Sequence, residues 1–145
     1  MADMEALIPE LQTWNDGSGI SSVDWLSGVA RSDEAVAYTA LFWPKLVVHK
    51  DYVLRHDFSL ENLAINEAGR STRQQTEAML NYNSLEHFFR GDREVEAVAD
   101  ERARYVGTMM ADMLDAKLRR DMPDRQFQVE LIDDDDDFAV TFWQV

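Results

Sequence analysis

Residues 93–122 constrain the fold of this chain more than any other stretch. They contain no proline and one glycine, and Val95, Val98, Ala99, Arg102, Val106, Met109 and Met113 recur every three or four positions. That spacing predicts one long helix with this stripe turned inward. Lys117, Arg119 and Arg120 gather in its last turn, where cations complement the backbone dipole, and Pro123 follows to stop it. Beyond it the apolar period shortens to alternation: Phe127, Val129 and Leu131 interleave with Gln126, Gln128 and Glu130, and Phe138, Val140 and Phe142 alternate beyond an aspartate run. The pattern predicts a β-hairpin with one buried face. Because an isolated hairpin is marginal in water, it needs a third strand or a helix, and residues 52–55 are the natural third strand.

Upstream, the signals are mostly helical. Met4, Leu7, Ile8, Leu11 and Trp14 lie on one helical stripe, with Pro9 either starting the helix or kinking it. Residues 15–19 read as a loop, since Asn, Asp and Gly accept left-handed backbone angles. Ser21 or Ser22 caps a short helix, and Ser32 with Asp33 and Glu34 caps another that runs to about Trp43 before Pro44. Residues 35–43 are apolar nearly all round, which predicts central core. Residues 46–54 read as a hairpin with a polar tip, or as a single strand over 52–55. Ser59 opens a helix that Gly69 stops, Ser71 opens another, 81–83 is turn-like, and 84–89 forms one or two helical turns. The expected class is α+β: mostly helical, with a small antiparallel sheet formed by the C-terminal β-hairpin and one central strand.

Composition narrows the function classes. The 145 residues, 46% of them apolar, match one domain spanning 1–145 with enough material for a core. Twenty-eight acidic residues against fourteen basic ones leave a formal charge of -14, which repels nucleic acid and anionic membranes, so neither is an expected partner. The absence of cysteine removes disulfides, thiolate nucleophiles, cysteine-bound zinc and iron–sulfur clusters. Residues 1–10 carry acids before any apolar core, and the apolar run 35–44 is far short of the roughly 20 residues of a membrane span. The expectation is a cytoplasmic protein without export signal or transmembrane helix.

Asp133, Asp134, Asp135, Asp136 and Asp137 form the most conspicuous constellation. They fail as a calcium loop, because position six from Asp133 is Phe138 and position twelve is Gln144, where a glycine and a glutamate are needed. A solvated hairpin turn that blunts edge pairing is the plain alternative. Five adjacent like charges repel, so either an arginine of this chain or a basic partner should compensate them. Trp143 neighbours Phe142 on a strand and must point to the opposite face, which makes it the candidate for an exposed aromatic contact beside that acidic run.

Other chemistry is weakly signalled. His49, His56 and His87 have acidic neighbours, but no His-x-x-x-His pair exists to share a helix face, and no metal site is expected. Gly17-Ser18-Gly19 lacks the flanks of a nucleophile elbow, and as the start of a dinucleotide-binding turn it fails at Ser22. No phosphate-cradling Gly-x-x-x-x-Gly-Lys occurs, and no cofactor is expected. Lys117, Arg119, Arg120 and Arg125, interspersed with Asp112, Asp115, Asp121 and Asp124, read as a neutralised surface network onto which the aspartate run could also dock.

Three stretches, 14–17 (Trp-Asn-Asp-Gly), 41–44 (Leu-Phe-Trp-Pro) and 116–120 with Pro123, Asp124 and Arg125, resemble those of small bacterial single-domain proteins of similar length. The resemblance implies a bacterial source and a single-domain unit, and it carries no functional residue.

Charge, size and the aspartate run fit a non-enzymatic protein-binding module, in its sharpest form an immunity or inhibitor-type protein for a basic partner. Asp133, Asp134, Asp135, Asp136, Asp137 and Trp143 are then the binding residues. The alternative is a small enzyme with a histidine and carboxylate site around His49 and His56.

Overall fold

Pro9 divides the first apolar stripe into two single-turn helices, α1 (Met4–Leu7) and α2 (Glu10–Thr13), in the computed structural model, which describes residues 3–89, 96–135 and 137–145. Leu7 and Leu11 are their buried residues. α3 (Ser22–Val29) is capped by the Ser21 hydroxyl, which accepts from Asp24 N at 3.1 Å. α4 (Ser32–Phe42) ends where Pro44 requires, but it is not central core. Every residue from 32 to 40 is exposed, Val36 at 71%, and of this helix only Leu41 is buried. Its apolar residues are spread round the whole helix, so no stripe is concentrated enough to seat it, and Leu41 and Phe42 at its C-terminal end join the core that α8 builds.

β1 (Leu46–His49) and β2 (Tyr52–Arg55) form the first hairpin, with Lys50 and Asp51 at positive φ in the tip. Next come α5 (Leu60–Ala68), capped by Ser59 and followed by Gly69, and α6 (Arg73–Leu80), whose capping box is made by Thr72 and Gln75. After β3 (Asn83–Ser84) and α7 (Leu85–Phe88), the long helix α8 (Glu96–Asp121) leads into β4 (Phe127–Asp133) and β5 (Phe138–Gln144). The class is α+β, largely helical with two small antiparallel sheets.

The last hairpin does acquire a third strand, but it is β3, expected as turn and helix, that pairs with β5; residues 52–55 stay in the β1–β2 sheet. The reason lies on α6. The free edge of β2 is met by side chains: Val53 N donates to the Glu77 carboxylate at 2.9 Å, Arg55 N to Asn81 Oδ1 at 3.1 Å, and Asn81 Nδ2 donates to Val53 O at 3.0 Å. Asn81 Nδ2 also reaches Phe142 O of β5 at 3.3 Å. Glu77 and Asn81, one helical turn apart and fully buried, therefore stand between the two sheets and satisfy backbone groups that a strand would otherwise take.

β5 is consequently central, and its two faces are both covered, where one buried face was expected. Phe138, Val140 and Phe142 pack against α8, while Thr141 turns to α6 and donates its hydroxyl to Ala78 O at 2.6 Å. The stripe α8 buries is Ala103, Gly107, Met110, Leu114 and Leu118, each one residue beyond Arg102, Val106, Met109 and Met113 where those exist, a rotation of about 100° from the expected face. Gly107 explains the choice. A Cβ there would stand 2.6 Å from the side chains of both Leu85 and Phe138, so the bare glycine is what lets the helix settle this closely on the sheet. The expected start of the helix at Arg93, and Val95, lie outside the described residues.

Candidate functional site

The aspartate run forms the turn between β4 and β5, and three side chains from two other parts of the chain fasten it. Asp133 is paired with Arg104 of α8. Asp137 accepts from the Tyr82 hydroxyl and, at 2.7 Å, from the Ser84 hydroxyl. Within the turn Asp137 N donates to Asp134 Oδ1 at 2.8 Å, and Asp134 N to Asp137 O at 3.1 Å. Burial opposes the Asp137 charge, but hydrogen bonds from Tyr82, Ser84 and the Phe138 N–H outweigh it and hold the carboxyl below its ordinary value. The phenol of Tyr82 is pushed up to about 12, first by burial and then by the Asp137 carboxylate it donates to. Asp134 and Asp135 are exposed at the tip, while Asp136 lies outside the described residues.

Asp133 is thus paired with an arginine of this chain, and it is Arg104 instead of the Lys117, Arg119, Arg120 and Arg125 cluster. That cluster is occupied elsewhere: Lys117 pairs with Asp121 at 2.7 Å, Arg119 with Asp115 at 2.8 Å, and Arg125 with Asp51 at 3.3 Å. Lys117 and Arg120 also lie over the Trp43 ring, at 5.3 and 5.9 Å from its centroid.

Trp143 points away from the fully buried Phe142, as alternation along the strand requires, and is half-buried. It lines an open groove of about 520 Å³ between α6 and the β4–β5 face, together with Ala78, Met79, Tyr82, Glu130 and Ile132. Met79 is 65% exposed there. Tyr82 belongs both to this groove and to the fastening of Asp137, and Ile132 adjoins Asp133, so groove and acidic turn form one continuous surface.

His49 and His56 are not brought together. His49 closes β1 beside the tip, paired with Tyr52 and with its ring 5.2 Å from that of Phe58; His56 follows β2 at the other end, its N–H donating to Lys45 O at 2.9 Å. Four strand positions, about 13 Å, separate them along the hairpin. The side chain of His87 lies outside the described residues. Among the described residues no three histidine or acidic side chains gather closely enough to hold a metal ion, and no helix is long and apolar enough to cross a membrane.

The residues that sequence reading missed here are Tyr82, Ser84 and Arg104. They reach the turn from 55, 53 and 29 positions away, distances over which no local pattern carries a signal. No family model matches the chain, and no curated protein or solved structure matches it.

Proposed function

We propose that this protein is a non-enzymatic binding module for a basic protein partner, acting as an immunity or inhibitor-type protein does. The observation that carries this reading is the continuity of a fastened acidic turn with a half-apolar groove. A turn held by Tyr82, Ser84 and Arg104 presents Asp134 and Asp135 with little ordering left to lose on association. The groove beside it supplies Trp143, Met79 and Ile132, the kind of desolvated anchor that gives an interface its affinity, while the acidic rim selects and steers a cationic surface. The partner segment that fits is a basic loop or helix end carrying an apolar side chain next to its lysines or arginines.

The experiment is capture of partners at low salt followed by binding kinetics on the one retained stoichiometrically. Asp134→Asn with Asp135→Asn should lower the on-rate about threefold or more and flatten its salt dependence, leaving the off-rate nearly unchanged. Trp143→Ala should instead raise the off-rate and cost about 2 kcal/mol of binding. Unchanged kinetics in both variants would remove this surface from the function.

A further inference from the structure

Where β2, β3 and α4 meet, two buried donors have no acceptor among the described residues. Arg55 is only 7% exposed. Its Nη2 donates to Ala40 O, and its Nε stands 3.9 Å from the largely exposed Asp57 carboxylate, but Nη1 has no hydrogen-bond partner among the described residues. The Nδ2 of Asn83 is likewise buried without one, and the residue is held in place by its pairing with Val140. Buried donors are nearly always paired, and a guanidinium more insistently than most, so two such groups at one place call for an acceptor. Burial lowers the Arg55 pKa despite Asp57, yet an arginine stays charged at any physiological pH.

Both residues line a cavity of about 340 Å³ whose remaining wall is largely apolar, from Ala37, Tyr38 and Leu41, with Glu34 and Asp57 also on it. We propose that this cavity binds a small organic monocarboxylate, whose oxygens accept from Arg55 Nη1 and Asn83 Nδ2 while its hydrocarbon body lies along α4. A guanidinium and an amide match the two oxygens of a carboxylate. A doubly charged phosphate is disfavoured, because Glu34 and Asp57 flank the site and the chain as a whole carries -14. The two donors are shielded from solvent, so the ligand enters by displacing wall. The α4 wall is exposed at every residue from 32 to 40, and its low burial makes it a wall that can move. This site is separate from the acidic turn and does not depend on the partner reading.

Benzoate is the probe, titrated into the intact protein while the Arg55 Nε–H and Asn83 side-chain amide resonances are followed by NMR. Saturable shifts with benzoate, absent with the uncharged isostere benzamide and with sodium chloride, are expected. Asn83→Asp supplies the missing carboxylate from the protein itself and should weaken benzoate about tenfold or more while preserving the fold. Ala37→Leu, an exposed helix position, fills the apolar wall and should weaken it comparably without touching either donor. No saturable shift in the wild type, equal shifts with benzamide, or unchanged benzoate binding in either folded variant overturns the proposal.

Discussion

Gln144, near the end of the last strand, donates its side-chain amide to the buried carboxylate of Glu77 at 3.0 Å, while its own carbonyl accepts from Arg125 at 2.7 Å. The same amide reaches Asp51 O at 3.0 Å, so one glutamine ties α6 to the tip of the first hairpin and to the segment after α8. Removing the carboxylate strands several donors at once. Glu77→Ala should therefore destabilise the fold by about 3 kcal/mol or more, because Val53 N and the Gln144 backbone N–H lose their acceptor and Gln144 Nε2 keeps only Asp51 O. Glu77→Gln keeps one acceptor oxygen and should cost clearly less. Midpoints of denaturant unfolding for the two variants check the order.

The raised Tyr82 phenol makes a prediction about alkaline pH. A phenol that ionises near 10 when unfolded and at about 12 in the folded protein binds its proton more tightly when folded. Its contribution to stability is fully present below pH 10 and is lost as pH rises from there through about 12. Ultraviolet titration should show Tyr82 ionising late, and Asp137→Asn should move it earlier. Tyr82→Phe should remove that late transition altogether.

Arg104 should matter more to the turn than to the fold. Its pair with Asp133 is half exposed, with side-chain exposures of 52% and 45%, a setting in which ion pairs add little to global stability. Arg104→Gln should leave thermal unfolding nearly unchanged while hydrogen exchange at the Asp137 N–H quickens, since that amide closes the turn onto Asp134. A large drop in melting temperature would mean the contact of Arg104 with the Phe138 ring, at 5.3 Å, carries more than the ion pair.

Gly19 sits at φ +83°, and a Cβ added to it would lie 2.7 Å from Leu11 O. Neither the backbone angle nor that carbonyl yields readily. Gly19→Ala should cost about 1 to 3 kcal/mol, whereas Gly17→Ala, with open space around it at φ +85°, should cost less. Thermal melts of the pair separate steric crowding from backbone strain.

The elements that local chemistry defines are legible in the sequence: the Ser21 and Ser59 caps, the break at Pro9, the end of α4 before Pro44, the alternation of β4 and β5. What failed was choice of face. On α8 both Met109 and Met110 are apolar, and only the closeness of Leu85 and Phe138, far away in sequence or across a turn, selects the stripe through Gly107. On α4 an even spread of alanines and valine looked like burial on all sides and proved to be exposure on all sides, since periodicity is silent when every face is alike. The candidate site divided in the same way. Asp133, Asp137 and Trp143 stood out as residue types, but Tyr82, Ser84 and Arg104, which give the turn its shape, are ordinary in sequence and significant only by position.

Glu77 of α6 and Asn81 at its C-cap hydrogen-bond β2 at Val53 N, Val53 O and Arg55 N, all of which project from the same edge of the strand. Those contacts ignore what side chains the strand carries and respond only to where its backbone sits. Were β2 to slip by one residue against β1, the groups of Tyr52 and Leu54 would turn outward, and those of Val53 and Arg55 would turn away from Glu77 and Asn81. The helix therefore works as a gauge, admitting one alignment of the first hairpin and rejecting its neighbours. The hairpin is short, with four paired positions, and its own turn would be a weak ruler without that outside reference.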